Sequence, residues 1–198
     1  MNPIKRSLLL ASACLSLAAC AGDGPGTLAG ATLEAVGLRK PAPPAALPDA
    51  LQPPREVVLH LHAAPRLNLD ARGQPLALLV RVFKLRQRAA FEQAPYAAFL
   101  APQAEREALG ADLVEARDVM LVPGQRLDLQ EKLGREAAWI GVVALFHAPA
   151  PQGWRLAFAA EDAARAGVTI GLHACALSVG AGAAAASPVK PLSLVRCQ

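Results

Sequence analysis

The sequence predicts an all-β sandwich of about seven to eight strands with a small helical insertion. Short apolar runs separated by turn residues dominate the chain from Glu56 onward, and this spacing is typical of antiparallel sheets. One run, from Trp139 to Phe146, is apolar on both faces, as expected for a strand between two layers. All aromatic residues lie beyond residue 80, so the C-terminal part of the chain is the part expected to form the core.

Seven segments are predicted as strands. The first alternates between apolar and polar residues, and the second is longer, with Leu78, Val80 and Val82 on one face. The third and fourth are expected to form a hairpin through the turn dipeptide Pro123-Gly124. In chain order, the segments are residues 57–62, 76–85, 113–122, 125–133, 139–146, 154–159 and 168–179.

The helical insertion is predicted over residues 88–110, between the second and third strands. Pro95 is expected to start a new turn. Pro102 can occupy the first position of a helix, because proline lacks only a backbone N–H that is unpaired there in any case. Gly110 is the expected stop. The prediction is therefore a sandwich with one helical excursion.

The N-terminus has the pattern of an export signal peptide that ends just before Cys20. Lys5 and Arg6 form a positive region, and an apolar stretch follows that is too short to span a bilayer. The run Leu17-Ala18-Ala19-Cys20 resembles a bacterial lipobox. This resemblance implies that residues 1–19 are a signal peptide and that Cys20 is lipidated; the alternative is an ordinary secretory signal with an incidental cysteine. Ala21, in place of aspartate after the cysteine, favours the outer membrane by analogy with lipoprotein sorting.

Residues 20–55 are predicted to be a lipidated tether rich in proline and alanine. The stretch from Ala21 to Arg55 has no aromatic residue and carries seven prolines, Pro25, Pro41, Pro43, Pro44, Pro48, Pro53 and Pro54. Such a segment buries too little apolar surface to offset the entropy of ordering it. The alternative is a short helix from Ala31 to Lys40 that packs on the domain. The folded domain is expected over residues 56–198, with a C-terminal tail over about 180–198.

Cys175 and Cys197 are the two cysteines that remain after the leader and the lipid site. In an oxidising periplasm, an isolated pair is a good disulfide candidate, and such a bond would tie the tail to the domain. The alternative is a pair of unlinked thiols. Neither cysteine has the C-x-x-C spacing of a redox centre.

Composition and motifs argue against catalysis and against nucleic acid. The net charge of +4 falls to +2 once Lys5 and Arg6 are removed, which is too small for a nucleic-acid interface. His60 and His62 share one strand face without a third ligand at metal-site spacing. We therefore predict no enzyme, no cofactor, no metal and no small-molecule substrate. The acidic residues Asp112, Glu115 and Asp118 are interpreted as solvated charges.

The connection between the first two strands is the most distinctive segment. Asn68, Asp70 and Gly73 can close local turns, and Pro75 stiffens the exit. Leu67 and Leu69 lie in this polar loop, either as part of a contact surface or packed against the edge of the sandwich. The pattern L-N-x-D-x-x-G-x-P, followed by a V-R-V-[FY]-x-L strand, resembles the outer-membrane lipoprotein of the type VI secretion system, the TssJ family. The resemblance continues collinearly over about residues 57–175.

Membership of that family implies a transthyretin-like β-sandwich and a structural role in the secretion membrane complex. It implies binding to the periplasmic C-terminal region of the large inner-membrane subunit, TssM, with other membrane-complex subunits as further candidates. The family's contact loop, carried onto this chain, gives Leu67, Asn68, Leu69, Asp70, Arg72, Gly73 and Gln74. The alternative function is a periplasmic lipoprotein that serves as a binding or chaperone module on the same sandwich, which needs a concave site with convergent polar groups.

Overall fold

The computed structural model describes residues 52–197, which contain eight strands arranged in two sheets of four. The predicted signal peptide, the lipid site at Cys20 and nearly all of the predicted tether lie outside the described residues. The strands are β1 (Arg55–Ala63), β2 (Leu78–Leu85), β3 (Leu113–Leu121), β4 (Arg126–Leu133), β5 (Trp139–Ala144), β6 (Arg155–Ala159), β7 (Val168–Leu172) and β8 (Leu177–Gly182). The helices are α1 (Ala89–Gln93), α2 (Pro102–Leu109) and α3 (Ala160–Ala166), with a 3-10 turn at Tyr96–Leu100.

The two sheets have the strand orders β4-β1-β7-β8 and β3-β2-β5-β6. Strand β1 pairs antiparallel with β4 and parallel with β7. The second sheet is antiparallel throughout, with β5 between β2 and β6. Every residue of β5 after Trp139 is buried, which confirms the prediction of a strand that is covered on both faces. The prediction of an all-β sandwich with a small helical insertion is confirmed.

The space between the sheets is filled by side chains that alternate along the strands. Leu59 and Leu61 from β1 and Leu78 and Val80 from β2 are fully buried and belong to one hydrophobic core. This follows from strand geometry, because successive side chains point to opposite faces of a sheet. The inner face of β2 is therefore the one that the sequence predicted.

The outer face of the second sheet is covered by the helical insertion. Phe83 of β2 meets Phe91 of α1 and Phe99 of the 3-10 turn, with ring centroids 5.5 and 5.6 Å apart. Pro102 stands at the start of α2, and Gly110 ends it with a φ of 52°. The hydroxyl of Tyr96 donates to the carbonyl of Phe146 at 2.6 Å, and burial raises the pKa of this phenol to about 12. The insertion is thus a second core layer.

Two acidic residues on β3 that the sequence indicates as solvated charges are exposed, and each also forms an ion pair. Asp118 accepts two bonds from Arg81, which also binds the buried carboxylate of Glu105 on α2 at 2.6 Å. The bond from Arg81 lowers the pKa of Asp118 despite partial burial. Glu115 binds Lys84 at 2.8 Å. The sequence alone does not reveal these pairs, because they depend on the β2–β3 register and on where α2 packs.

Two strand predictions are wrong in their connectivity. The segments on either side of Pro123-Gly124 do not form a hairpin, because β3 pairs with β2 in one sheet and β4 pairs with β1 in the other. The turn instead carries the chain from one sheet to the other. The predicted strand over residues 168–179 is two strands, β7 and β8, since a turn at His173 is closed by a bond from its N–H to the carbonyl of Ala176. Helix α3 was not predicted.

The C-terminal tail is fastened to the domain at both ends. The N–H of Ala183 donates to Gly167, and that of Ala186 donates to Ala157 on the edge strand β6, each at 2.8 Å. At the far end, the predicted disulfide between Cys175 and Cys197 is confirmed. The tail therefore covers part of the free edge of β6, which would otherwise expose unpaired backbone groups.

The disulfide is expected to stabilise the domain. The bond closes a loop with a sequence separation of 22 residues. On the chain-entropy model, this closure adds about 3 kcal/mol to the free energy of unfolding, because it restricts the unfolded chain. The double variant Cys175→Ser with Cys197→Ser should lose about that much free energy of unfolding, measured by urea denaturation. Reductant should have the same effect on the wild type and none on the variant. If reductant leaves the unfolding midpoint of the wild type unchanged, the bond does not stabilise the domain.

Candidate partner-binding surface

The loop between β1 and β2 is a closed, hydrogen-bonded turn. The N–H of Asp70 donates to the carbonyl of Gln74, and the N–H of Gly73 donates to the carbonyl of Asp70, each at 3.0 Å. Oδ1 of Asp70 also accepts bonds from the N–H groups of Arg72 and Gln74, each at 2.8 Å. Gly73 has a φ of 73°, a conformation that favours glycine. The tip is therefore held in one shape by its own residues.

The base of the loop is fixed by the buried side chain of Asn68. Its Nδ2 donates to the carbonyl of Ala77 at 2.8 Å, and its Oδ1 accepts from the N–H of His147 at 2.7 Å. Asn68 has a φ of 46°, and asparagine tolerates this left-handed conformation better than most residues. One amide thus joins the β1–β2 loop to the β5–β6 connection.

The loop also rests on the turn between β7 and β8. The N–H groups of Asn68 and Leu69 donate to the carbonyls of His173 and Ala174, each at 3.1 Å. The imidazole of His173 lies 2.8 Å from the Ser178 hydroxyl, and burial lowers the pKa of this histidine. The next residue after Ala174 is Cys175, which carries the disulfide to the tail. Two other segments, the β5–β6 connection and the β7–β8 turn, therefore support the loop directly.

The structure separates the seven predicted contact residues into two groups. Leu67 is fully buried in the core, and Asn68 is only 5% exposed. The prediction that these two side chains face a partner is therefore corrected. Leu67 packs beneath the loop, and the side-chain amide of Asn68 is already hydrogen-bonded to Ala77 and His147. Leu69 and Asp70 are half-buried, and Arg72, Gly73 and Gln74 are exposed at the tip. For those five residues, a contact with a partner stays a prediction.

Further residues at the same end of the sandwich extend the loop into a broader surface. We call this surface the loop end and define it as residues 64–77, 122–126, 145–154, 173–176 and 190–197. The N–H of Gly124 donates to the carbonyl of Ala64 at 3.2 Å, which places the β3–β4 turn beside the loop. Val122 in that turn is 52% exposed, and Leu194 in the tail is 68% exposed.

Large exposed apolar side chains are concentrated there. Of the five that stand out among residues 52–197, Val122, Leu192 and Leu194 belong to the loop end, and Met120 lies two positions before Val122 on β3. Solvent-exposed apolar side chains gathered at one end of a domain are typical of an interaction surface. Their position next to a rigid loop makes the loop end the best candidate for docking.

A cleft of about 350 Å³ lies between β6 and the C-terminal tail. Phe91, Trp154 and Leu177 supply apolar walls, and Arg155 and Lys190 are the basic residues of its lining. The guanidinium of Arg155 donates to backbone carbonyls of α1, including the carbonyl of Phe91 at 3.0 Å. The same guanidinium stacks on the ring of Trp154. It is thus engaged in holding the insertion in place.

The described residues show no sign of a metal centre or of a membrane-crossing helix. No group of three or more histidine, cysteine or acidic side chains is placed to hold a metal between residues 52 and 197. Over the same range, every helix falls short of the length and apolar character that crossing a membrane requires. His60 binds Asp128 at 2.7 Å on the outer face of β1.

Comparison with known proteins assigns the family. Residues 55–175 match the family model T6SS-SciN, described as type VI secretion lipoprotein, VasD, EvfM, TssJ, VC_A0113. The chain belongs to this family. The match begins at the first residue of β1 and ends at the disulfide cysteine of the β7–β8 turn, so it includes the loop, the insertion and most of both sheets.

Solved structures agree with this membership. The chain resembles the lipoprotein TssJ1 of the type VI secretion system from Pseudomonas aeruginosa, with 32% identity and a TM-score of 0.59, over 70% of this chain and 100% of TssJ1. It also resembles a chain of a structure described as a type VI membrane complex, with 26% identity and a TM-score of 0.58, over 64% of this chain and 98% of the other. No curated protein matches the chain.

A third likeness is to a chain in a structure of the T6SS protein TssM C-terminal domain from EAEC. The identity is 24% and the TM-score 0.56, over 64% of this chain and 98% of that one; at this identity, the likeness concerns the fold. The resemblance drawn from the sequence is thus confirmed at the level of the family, which is a structural lipoprotein family and not a family of enzymes.

Sequence reasoning missed the part of the loop end that lies outside the β1–β2 loop. Val122 and Leu194 are far from residues 67–74 along the chain, and only the β3–β4 turn and the disulfide bring them close. A signal was present, because Met120 and Val122 are large apolar residues next to the turn dipeptide Pro123-Gly124. The expected hairpin obscured this signal, since it implied that both residues lay within a strand ladder.

The shape of the loop tip is expected to depend on the carboxylate oxygen of Asp70. In Asp70→Ala, the N–H groups of Arg72 and Gln74 lose their acceptor. Their amide exchange should become about fivefold faster, as expected from the loss of roughly 1 kcal/mol per bond. Asp70→Asn keeps an acceptor oxygen and should exchange like the wild type. Equal exchange in Asp70→Ala and the wild type would mean that the tip is ordered by other contacts.

Proposed function

We propose that this lipoprotein is held on the periplasmic face of the outer membrane by acylated Cys20, and that its loop end binds the periplasmic C-terminal region of TssM. The protein then acts as a mechanical link in the type VI secretion membrane complex. The observation that carries the proposal is the rigid loop at the end of the sandwich where exposed apolar residues gather, in a chain of this family.

The rigidity of the loop end supports a docking role. Because Asn68, Asp70 and the β7–β8 turn already hold the β1–β2 loop in one conformation, a partner does not have to order it on binding. Ordering a side chain or a loop at an interface costs free energy that reduces affinity, and a pre-organised surface avoids that cost. A contact built in this way is suited to a complex that bears mechanical load.

The likenesses support TssM as the partner. A chain of a type VI membrane complex resembles this chain, and another similar chain occurs in a structure of the TssM C-terminal domain. Anchoring on the membrane also raises the local concentration of binding sites, so that contacts of modest affinity act together. Other subunits of the membrane complex remain further candidate partners.

Lipid anchoring at Cys20 makes a direct prediction. The variant Cys20→Ser should move from the membrane fraction to the soluble periplasmic fraction, because burial of acyl chains is what holds a lipoprotein on a bilayer. Cys14→Ser, which changes a cysteine within the leader, is the matched control and should stay in the outer-membrane fraction of a density gradient. Undiminished membrane retention of Cys20→Ser after an alkaline wash would show that another element anchors the chain.

The docking site can be mapped by photo-crosslinking. A photoreactive amino acid at Gln74 or Val122, both exposed at the loop end, should form an adduct with TssM in cells. The same amino acid at exposed Arg165 on α3 or Glu107 on α2 is the matched control and should form none. Adducts from α2 or α3 alone would place the contact elsewhere on the domain, and adducts from no position would remove TssM as a direct partner.

A further inference from the structure

The loop end has an unbalanced charge. Five of its residues are basic, and one, Asp70, is acidic. All five basic side chains are exposed, and none forms an ion pair within residues 52–197. The five are Arg66, Arg72, Arg126, Lys190 and Arg196.

These cations belong to the loop end, together with the exposed apolar residues. Arg126 is the first residue of β4 and lies opposite His62 of β1. His62 is two residues before the start of the β1–β2 loop at Ala64, so Arg126 lies close to that loop. Arg66 and Arg72 lie on that loop. Lys190 and Arg196 line one shallow cleft together with Leu194, and the disulfide next to Arg196 joins this part of the tail to the turn on which the loop rests. Cations and exposed apolar side chains therefore share this end of the sandwich, and we call the five cations the basic rim.

The opposite end of the sandwich has no such excess. Its connections and flanking positions, residues 52–55, 86–89, 110–112, 134–138 and 160–167, carry five basic and four acidic residues. Several of these charges are already neutralised locally, as in the pairs Arg88–Glu92 and Arg165–Asp162. The net positive charge of the described residues is therefore concentrated at the loop end.

We infer that the partner's docking face is acidic, with carboxylates that meet the basic rim of the loop end around a small apolar contact. This inference rests on the proposed function, because it states the chemistry of the surface that binds there. Unpaired exposed cations gain favourable Coulomb energy from an oppositely charged face, and such complementarity raises the association rate and selects the partner.

A protein face is favoured over a lipid surface by two observations. Val122 and Leu194 are exposed at the same end of the sandwich as the basic rim, and apolar and charged side chains together are typical of a protein interface. In addition, β1 starts at Arg55 at the opposite end of the sandwich, so the predicted lipid anchor joins the domain away from the loop end. Binding of the basic rim to anionic lipid is the competing outcome of the test.

The test compares two charge reversals of equal size. Arg72→Glu with Arg126→Glu changes the loop end, and Arg86→Glu with Arg106→Glu changes the net charge by the same amount at exposed positions elsewhere. The mature acylated chains, in non-ionic detergent, are titrated with the purified periplasmic C-terminal region of TssM in about 50 mM and about 300 mM sodium chloride, a range over which screening becomes strong. Thermal melting verifies that all variants are folded.

The wild type should bind more weakly at the higher salt concentration. The loop-end variant should lose at least about tenfold in affinity at the lower concentration and show a smaller salt dependence, while the control variant should lose less than about threefold. The neutral pair Arg72→Gln with Arg126→Gln should fall between the wild type and the reversal.

Three results would overturn the inference. Wild-type binding that is unaffected by salt and by the loop-end reversal would remove the acidic face but leave the proposed function intact. No binding by the wild type would remove the proposed function, and this inference with it. Binding of phosphatidylglycerol vesicles that is lost on the loop-end reversal, together with TssM binding that is unaffected by it, would assign the basic rim to lipid.

Discussion

The buried amide of Asn68 is the contact on which the shape of the loop end depends. It accepts from the β5–β6 connection and donates to the exit of its own loop, while its backbone N–H is held by the β7–β8 turn. Three connections that are distant in sequence are thereby joined through one residue. Asn68 thus fixes the base of the β1–β2 loop, while the carboxylate of Asp70 and the backbone N–H of Leu69 hold the rest of it.

The rest of the fold maintains this arrangement. The helical insertion gives the sheet that contains β5 a second apolar layer, through the rings of Phe83, Phe91 and Phe99. The disulfide holds the tail to the same turn that supports Asn68. A double-layered core with a cross-linked end resists local opening better than isolated loops do, and this resistance suits the mechanical link that we propose.

The sequence predicted much of the fold because its signals are local. The apolar run at β5, Pro102 at the start of α2 and the cysteine pair each act through nearest neighbours or through composition. The errors share a different cause. Three features depend on how distant segments pack together: the pairing of β3 and β4, the burial of Leu67, and the contact between Asp118 and Arg81. The periodicity of apolar residues in the sequence does not indicate this packing.

The candidate site shows the same division between local and distant information. The loop motif, with Asn68, Asp70 and Gly73, could be found from turn chemistry, and its resemblance to a family supplied a role. The sequence left open whether Leu67 packs beneath the loop, and it did not indicate that Asn68 is buried, because both depend on how the loop packs on the rest of the domain. The contributions of Val122, Leu194 and the basic rim required the sheet-to-sheet crossing at Pro123-Gly124 and the disulfide-bound tail.

The central claim is that partner binding takes place at the loop end and leaves the rest of the domain unchanged. Hydrogen–deuterium exchange of the mature chain, with and without the TssM C-terminal region, tests it most directly. The account predicts added protection in residues 64–77, 122–126 and 190–197, with unchanged exchange in α2 and α3. Protection confined to α2, α3 or the outer face of β1, with the β1–β2 loop unaffected, would contradict it.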